Sequence, residues 1–277
     1  MQTREIEKQV IATVRGLEVG IAWPTIFLAA AIITGWSATV IAAATGWLPL
    51  WATLPINAVF AYLAYTPAHD STHGSIARGR HEWLNYVVGF TAVFPLLHNI
   101  SLHRLTHLAH HRHLNDPDMD ADHWVAGERW WSVLLRCMTV VFSHYRIGWR
   151  LADNRTRALA VLENTASLAV PVVVAFTAGW QVTLFAILLP AIIGMTLLSF
   201  LFDYLVHAPY TGEGRFGATR AFILPRRWRR IGSALWMQQN YHLAHHLYPW
   251  IPFYRYRRVL EAAEPLVERR GGAIIRL

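Results

Sequence analysis

Cysteine is almost missing from this chain: Cys137 is the single one in 277 residues. That excludes a disulfide framework, a thiolate-ligated zinc site and an iron–sulfur cluster, and it fits an intracellular face. Basic residues are missing from two long windows, Gly16 to Ala77 and Ala158 to Gly214, although the chain holds 25 Lys and Arg and a net charge of +8. The N-terminal MQTREIEKQV has neither a short apolar core nor a small-residue cleavage site, so no signal peptide is expected. No internal repeat and no low-complexity segment stands out. No dinucleotide-binding unit is expected, and H-E-x-x-H does not occur, because His81-Glu82 has no second histidine at the required spacing.

The windows without basic residues are strongly apolar, in a chain that is 54% apolar with 13 Trp. The first holds stretches 19–44 and 50–68 around TGWLPLW; the second holds 159–178 and 181–206 around AGWQ. Each approaches the roughly 20 residues that cross a bilayer. The separating turns carry Trp47, Trp51 and Trp180, residues that favour a membrane–water interface. The positive-inside rule then places 1–18, 69–157 and 207–277 in the cytoplasm. The expected fold is therefore an all-α integral membrane protein, a single domain over 1–277, with four transmembrane helices in two hairpins and a cytoplasmic helical cap. Stretches 82–100 and 130–149 are apolar but short or interrupted by Arg136 and His144, and read as interfacial helices. The charge distribution fits this topology better than nucleic-acid binding.

The 15 histidines cluster where the chain leaves the spans. The pentapeptide His-Leu-Ala-His-His occurs twice, as His107, His110, His111 and as His242, His245, His246. On a helix, positions i, i+3 and i+4 share a face, so each copy aims three imidazoles at one spot. His69 and His73 form an i, i+4 pair at the end of the second span, and Asp203 and His207 form another at the end of the last. Nine converging imidazoles exceed what one tetrahedral ion takes and suit two metal ions; without thiolates, iron, zinc, copper and nickel all remain open. His103 and His113 extend the second group off its spacing and read as outer or loop residues. His81, His98, His123 and His144 read as separate interfacial histidines.

These residues resemble the histidine boxes of the membrane fatty acid desaturase and hydroxylase superfamily, over about His69 to Arg258. The stretches LNDPDMDADHW (114–124), FDYLVHAPY (202–210) and QNYHLAHHLYPWIPFYRY (239–256) look most like the cyanobacterial-type β-carotene hydroxylases, and LYPWIPFY is also similar to β-carotene ketolases. The resemblance implies a di-iron enzyme using O2 as co-substrate, with His69, His73, His107, His110, His111, His207, His242, His245 and His246 as metal ligands. It places Asp203 where acyl-CoA desaturases of the superfamily hold a metal-bound water through Asn. Three residues separate His69 from His73, whereas many acyl desaturases have four, which leans away from that branch.

Asp116 and Asp70 are candidates to hold the free N–H of a metal-bound imidazole. For Asp118 to Asp122 a solvated turn is the expectation. The expected reaction is hydroxylation of a carotenoid β-ionone ring; the alternatives are an acyl-lipid or acyl-CoA desaturase, a β-carotene ketolase, and, from another class, a metal transporter. Electrons would come from an external, ferredoxin-like carrier. PRRWRR (225–230) would meet that carrier or, as the better reading, anionic lipid head groups. The expected location is the inner or plasma membrane, with site and both termini cytoplasmic.

Overall fold

In a computed structural model, residues 2–212 and 214–277 are described. The long helices are α2 (Trp23–Ala44), α3 (Leu50–Thr72), α6 (Trp130–Leu151), α7 (Asn154–Ala178) and α8 (Trp180–His207). Shorter ones are α1 (Gln2–Arg15), α4 (Trp83–Ala92), α5 (Ile100–Arg112), α9 (Arg229–Leu235), α10 (His242–Leu247) and α11 (Tyr256–Arg269). The protein is not wholly helical: β1 (Arg220–Ile223) and β2 (Ala273–Arg276) pair in parallel, Ala221 opposite Ile274.

Helices α2 and α3 form one hairpin and α7 and α8 the other. Each reverses at a glycine in the left-handed region, Gly46 (φ +77°) and Gly179 (φ +93°), where a Cβ would be strained. Helix α7 starts at Asp153, whose carboxylate accepts the Thr156 N–H at 2.7 Å. Outward faces carry Phe27, Ile41, Val172 and Phe176, large apolar side chains left exposed.

Among the described residues three helices are long and apolar enough to cross a membrane: α2, α7 and α8. Helix α3, expected as the fourth, is as long (23 residues) but not as apolar. Its last turns bury Thr66, His69, Asp70, Ser71 and Thr72, so it trades hydrophobicity for ligands and hydrogen bonds. It packs on α8 through small residues: Ala61 is fully buried against Gly194. Close backbone approach of this kind replaces the hydrophobic driving force that lipid cannot supply.

Polar groups inside the hairpins are spent on structure. Helix α8 contains two π-helical stretches, Leu184–Leu188 and Ser199–Tyr204, which loosen the regular ladder. The carbonyl of Ala186 in the first accepts from Asn57 Nδ2 at 2.7 Å, and Asn57 Oδ1 accepts from Thr39, joining α2, α3 and α8. Glu163 on α7 accepts from the Ser101 N–H (3.0 Å), Ser101 Oγ (2.6 Å) and Tyr86 Oη (3.0 Å), fixing the start of α5.

The remaining elements gather at the C-terminal ends of α3 and α8. Val10 and Val14 of α1 join Val259, Leu260, Ala263 and Leu266 of α11 in one core with Leu243 and Ala244 of α10. Helix α6 buries Val133, Cys137, Val140 and Ile147 while exposing Trp130, Leu134 and Phe142, an amphipathic pattern suited to an interface. Stretch 82–100 is broken into α4 and a turn at Leu97 (φ +50°), too short to span.

Candidate metal centre

Four helices bring the nine box histidines to one place. Helix α3 ends in His69 and is capped by His73; α5 carries His107, His110 and His111; α8 ends in His207; α10 carries His242, His245 and His246. They sort into two groups, His69, His73, His107 and His245, and His110, His207, His242 and His246. Within each group the ligand atoms lie within 4.8 Å of one another. His111 stands between them: its Nε2 is 3.2 Å from Nε2 of His107 and 2.9 Å from that of His245, and its ring stacks on His246 at 4.2 Å. Each pentapeptide therefore serves both groups rather than forming one wall. One helical turn separates residues i and i+3 or i+4 along the axis, so His107 and His110 reach different centres from one helix face.

The spacing fits metal ligation. Nε2 atoms of His242 and His246 are 3.0 Å apart and those of His207 and His242 are 3.1 Å apart. Two nitrogens bound to one ion at about 2.1 Å, at 90–110° to each other, lie about 3.0–3.4 Å apart. Among the described residues, Nε2 of His69 and of His73 are buried without a hydrogen-bond partner, a costly state that an ion would relieve. The donor set is imidazole throughout; Cys137 is buried elsewhere.

Electrostatics agree. Burial holds His107, His245 and His246 well below the ordinary imidazole value, so these rings are neutral with lone pairs free. Burial acts the same way on His110, but Asp120 and Asp122 outweigh it and push that ring up to about 9. Two buried carboxylates beside the second group thus supply negative charge where a cation would sit.

Several rings are held from behind. Nδ1 of His110 is 2.8 Å from Asp120 Oδ1, Nδ1 of His242 is 3.0 Å from Gln239 Oε1, and Nδ1 of His245 is 2.9 Å from Tyr256 Oη. With Nε2 turned to a bound metal, each Nδ1–H would donate to its partner. Sequence reasoning missed Asp120, Gln239 and Tyr256. Gln239 precedes His242 by three residues, which is a readable signal; Tyr256 offers none.

The acidic candidates stand differently from expectation. Asp116 is exposed, and its Oδ1 accepts the Asp118 N–H at 2.8 Å. It closes a turn and holds no imidazole. Asp120 and Asp122, expected in solvent, are buried. Asp70 is buried but faces away from the rings: Thr25 Oγ1 donates to it at 3.0 Å and the Phe253 N–H at 3.2 Å. It pins α3 to α2 and to the segment after the third box. Asp203 is buried in the second π-helical stretch, one turn before His207, and its backbone carbonyl accepts from Tyr210 Oη at 3.0 Å.

His98 and His144, expected as separate interfacial residues, are instead buried together with His103 in a third group. His113 caps α5 in an exposed position, His81 accepts from Arg80 Nε at 2.9 Å, and His123 stacks on Tyr210. A G-x-G-x-x-G spacing does exist, at Gly212, Gly214 and Gly217. Among the described residues it follows no strand and opens only a single turn, Gly214–Gly217, so it is no dinucleotide site.

Two kinds of opening flank the centre. A polar cavity of about 770 Å³ reaches His111 and His246 past Arg112, Asn115, Tyr210 and Arg215. Along α8, apolar hollows of about 420 and 510 Å³ share Leu197; one is lined by Leu54, Val59 and Ile193, the other by Trp130, Leu134 and Phe200.

Comparison with known proteins bears on this centre. The chain is similar to the sn-1 oleoyl-lipid 12-desaturase of Anabaena variabilis, 27% identical over 73% of this chain and 53% of that protein. It is also similar to the sn-1 acyl-lipid omega-3 desaturase (ferredoxin) of Synechocystis sp., 24% identical over 73% of this chain and 64% of that protein. It thus spans about half to two thirds of the length of these curated relatives. The fatty acid desaturase family matches residues 45–277, which include all nine box histidines, and the chain belongs to that family.

Proposed function

We propose that the protein is a membrane-bound di-iron oxidoreductase that desaturates the acyl chain of a lipid. The observation that carries this is the pair of four-histidine groups joined by His111, with buried nitrogens that lack a hydrogen-bond partner among the described residues. His69, His73, His107 and His245 would hold one iron and His110, His207, His242 and His246 the other, with His111 at the shared edge. When bound, the iron pair supplies O2 activation and hydrogen abstraction from an unactivated C–H bond.

The chain's own residues fix the rings and admit the substrate. Asp120, Gln239 and Tyr256 set three tautomers, and Asp70 clamps the segment that carries Tyr256 against α3. The apolar hollows along α8 would receive the acyl chain from the lipid side; Tyr62, whose Oη donates to the Leu235 carbonyl at 2.8 Å, lines one of them. A fourth crossing by α3 would place the centre at the cytoplasmic mouth of both hairpins. Electrons would come from a separate carrier, ferredoxin-like by analogy with the relative whose name includes it. The exposed Arg226 and Arg227 would meet head groups beside that dock.

An acyl substrate is preferred to the carotenoid ring because the relatives above are named for acyl-lipid desaturation, which outweighs both the His69–His73 spacing and the likeness around LYPWIPFY. A transporter is disfavoured, since the intramembrane polar groups Asn57 and Glu163 are engaged in helix contacts. The test is to express the protein with a reducing partner in a host supplied with labelled oleoyl lipid and β-carotene, and to identify the products. A new double bond in the acyl chain, with two irons per chain, is expected. Hydroxylated β-carotene without altered acyl chains would overturn the substrate, and full activity without iron would overturn the chemistry.

A further inference from the structure

His98, in the turn before α5, His103 on α5 and His144 on α6 lie outside the nine box rings and share one interior space. Their ligand atoms are within 4.8 Å of one another. Ring centroids are 5.4, 5.6 and 5.8 Å apart, nearly an equilateral triangle. A metal-bound imidazole has its centroid about 3.2 Å from an ion held at about 2.1 Å, so three ligands spread by about 110–120° place their centroids about 5.2–5.5 Å apart.

The three rings are 5%, 2% and 7% exposed. Among the described residues, both nitrogens of His103 and Nδ1 of His98 have no hydrogen-bond partner. Such groups are rare in a buried environment unless something binds them. His144 is already prepared: its Nε2 lies 2.8 Å from Asp122 Oδ1, and donating that proton leaves the Nδ1 lone pair free. Thr106 Oγ1 lies 3.4 Å from Nδ1, and it donates its proton to the backbone carbonyl of His103 at 3.0 Å.

We propose that His98, His103 and His144 form a separate mononuclear site for a zinc-class divalent ion, with water as fourth ligand. Imidazole-only ligation suits a borderline cation and disfavours magnesium or calcium. The ion joins α6 to α5 and to the turn before it, and so fixes the helix that carries His107, His110 and His111. Asp122 connects the two centres, because its Oδ2 is 3.4 Å from Nδ1 of His110. This site stands independently of the reaction assigned above.

The test uses the full-length protein purified with its iron in place, equilibrated with zinc chloride, desalted and analysed for both metals. One zinc per chain beyond the iron is expected. His103→Ala and His98→Ala each lose that zinc and keep the iron, while His113→Ala, an exposed control, keeps both. Cobalt in place of zinc gives the visible absorption of a four-coordinate ion, which His103→Ala abolishes. Wild-type protein that takes up no zinc beyond its iron overturns the proposal, as does an unchanged zinc equivalent in both alanine variants. Should those variants lose iron or fail to insert, the wild-type cobalt spectrum decides: a four-coordinate signature supports the site and its absence refutes it.

Discussion

The phenolic oxygen of Tyr256 lies 2.9 Å from Nδ1 of His245, so the start of α11 holds a ring of the third box from behind. Both residues are fully buried. Tyr256→Phe keeps the ring volume and removes the acceptor. Losing such an outer contact weakens metal affinity by about 10–100-fold. The variant is expected to insert and fold normally but to lose iron at chelator concentrations the wild type withstands, read as iron per chain after timed dialysis.

The same reasoning separates two aspartates four residues apart. Asp120 touches His110, whereas Asp116 only closes a turn. Asp120→Asn should reduce iron retention by about 10–100-fold, and Asp116→Asn should leave it near wild type. Equal losses in the two variants, measured side by side, would contradict the assignment.

How far the sequence reveals this centre depends on the range of each interaction. Ligand spacing within a box is local helix geometry, so His242, His245 and His246 are legible as a set, and the charge-free windows locate the helices that bring the boxes together. Which of four alternating aspartates turns inward is not legible. The 3₁₀ turn Ala121–Val125, capped by Asp120, decides it, and no hydrophobic period marks that turn. His98 and His144 read singly because their partner lies on a third element, and Tyr256 meets His245 only after the chain doubles back through Phe253. Helix α3 was legible by length, but its burden of ligands lowers the apolarity that marks a crossing.

Glu163 reads in sequence as an ionisable group in a membrane span, a usual sign of function. Its three contacts to Ser101 and Tyr86 make it an anchor for the start of α5 instead. Glu163→Ala should lower stability by on the order of 3 kcal/mol, since three hydrogen bonds are lost together and the Ser101 N–H is left bare. Glu163→Gln, which keeps an acceptor, should lose less. Thermal unfolding in detergent, compared across the two variants, checks the order.

The contact between α3 and α8 sets where both His69 and His207 end up, and it depends on the missing side chain of Gly194. A Cβ there would lie 2.5 Å from Cβ of Ala61 and 3.0 Å from the Tyr62 nitrogen, so even alanine forces the helices apart. Overpacking of this kind costs about 1–3 kcal/mol. Because His69 serves the first group and His207 the second, a shift between their helices should disturb both metals together, unlike the ring-holding variants above. Gly194→Val is therefore expected to lower melting temperature and to lose both irons in parallel. Gly20→Ala, where a Cβ meets nothing within 4 Å, is the matched control and should retain both.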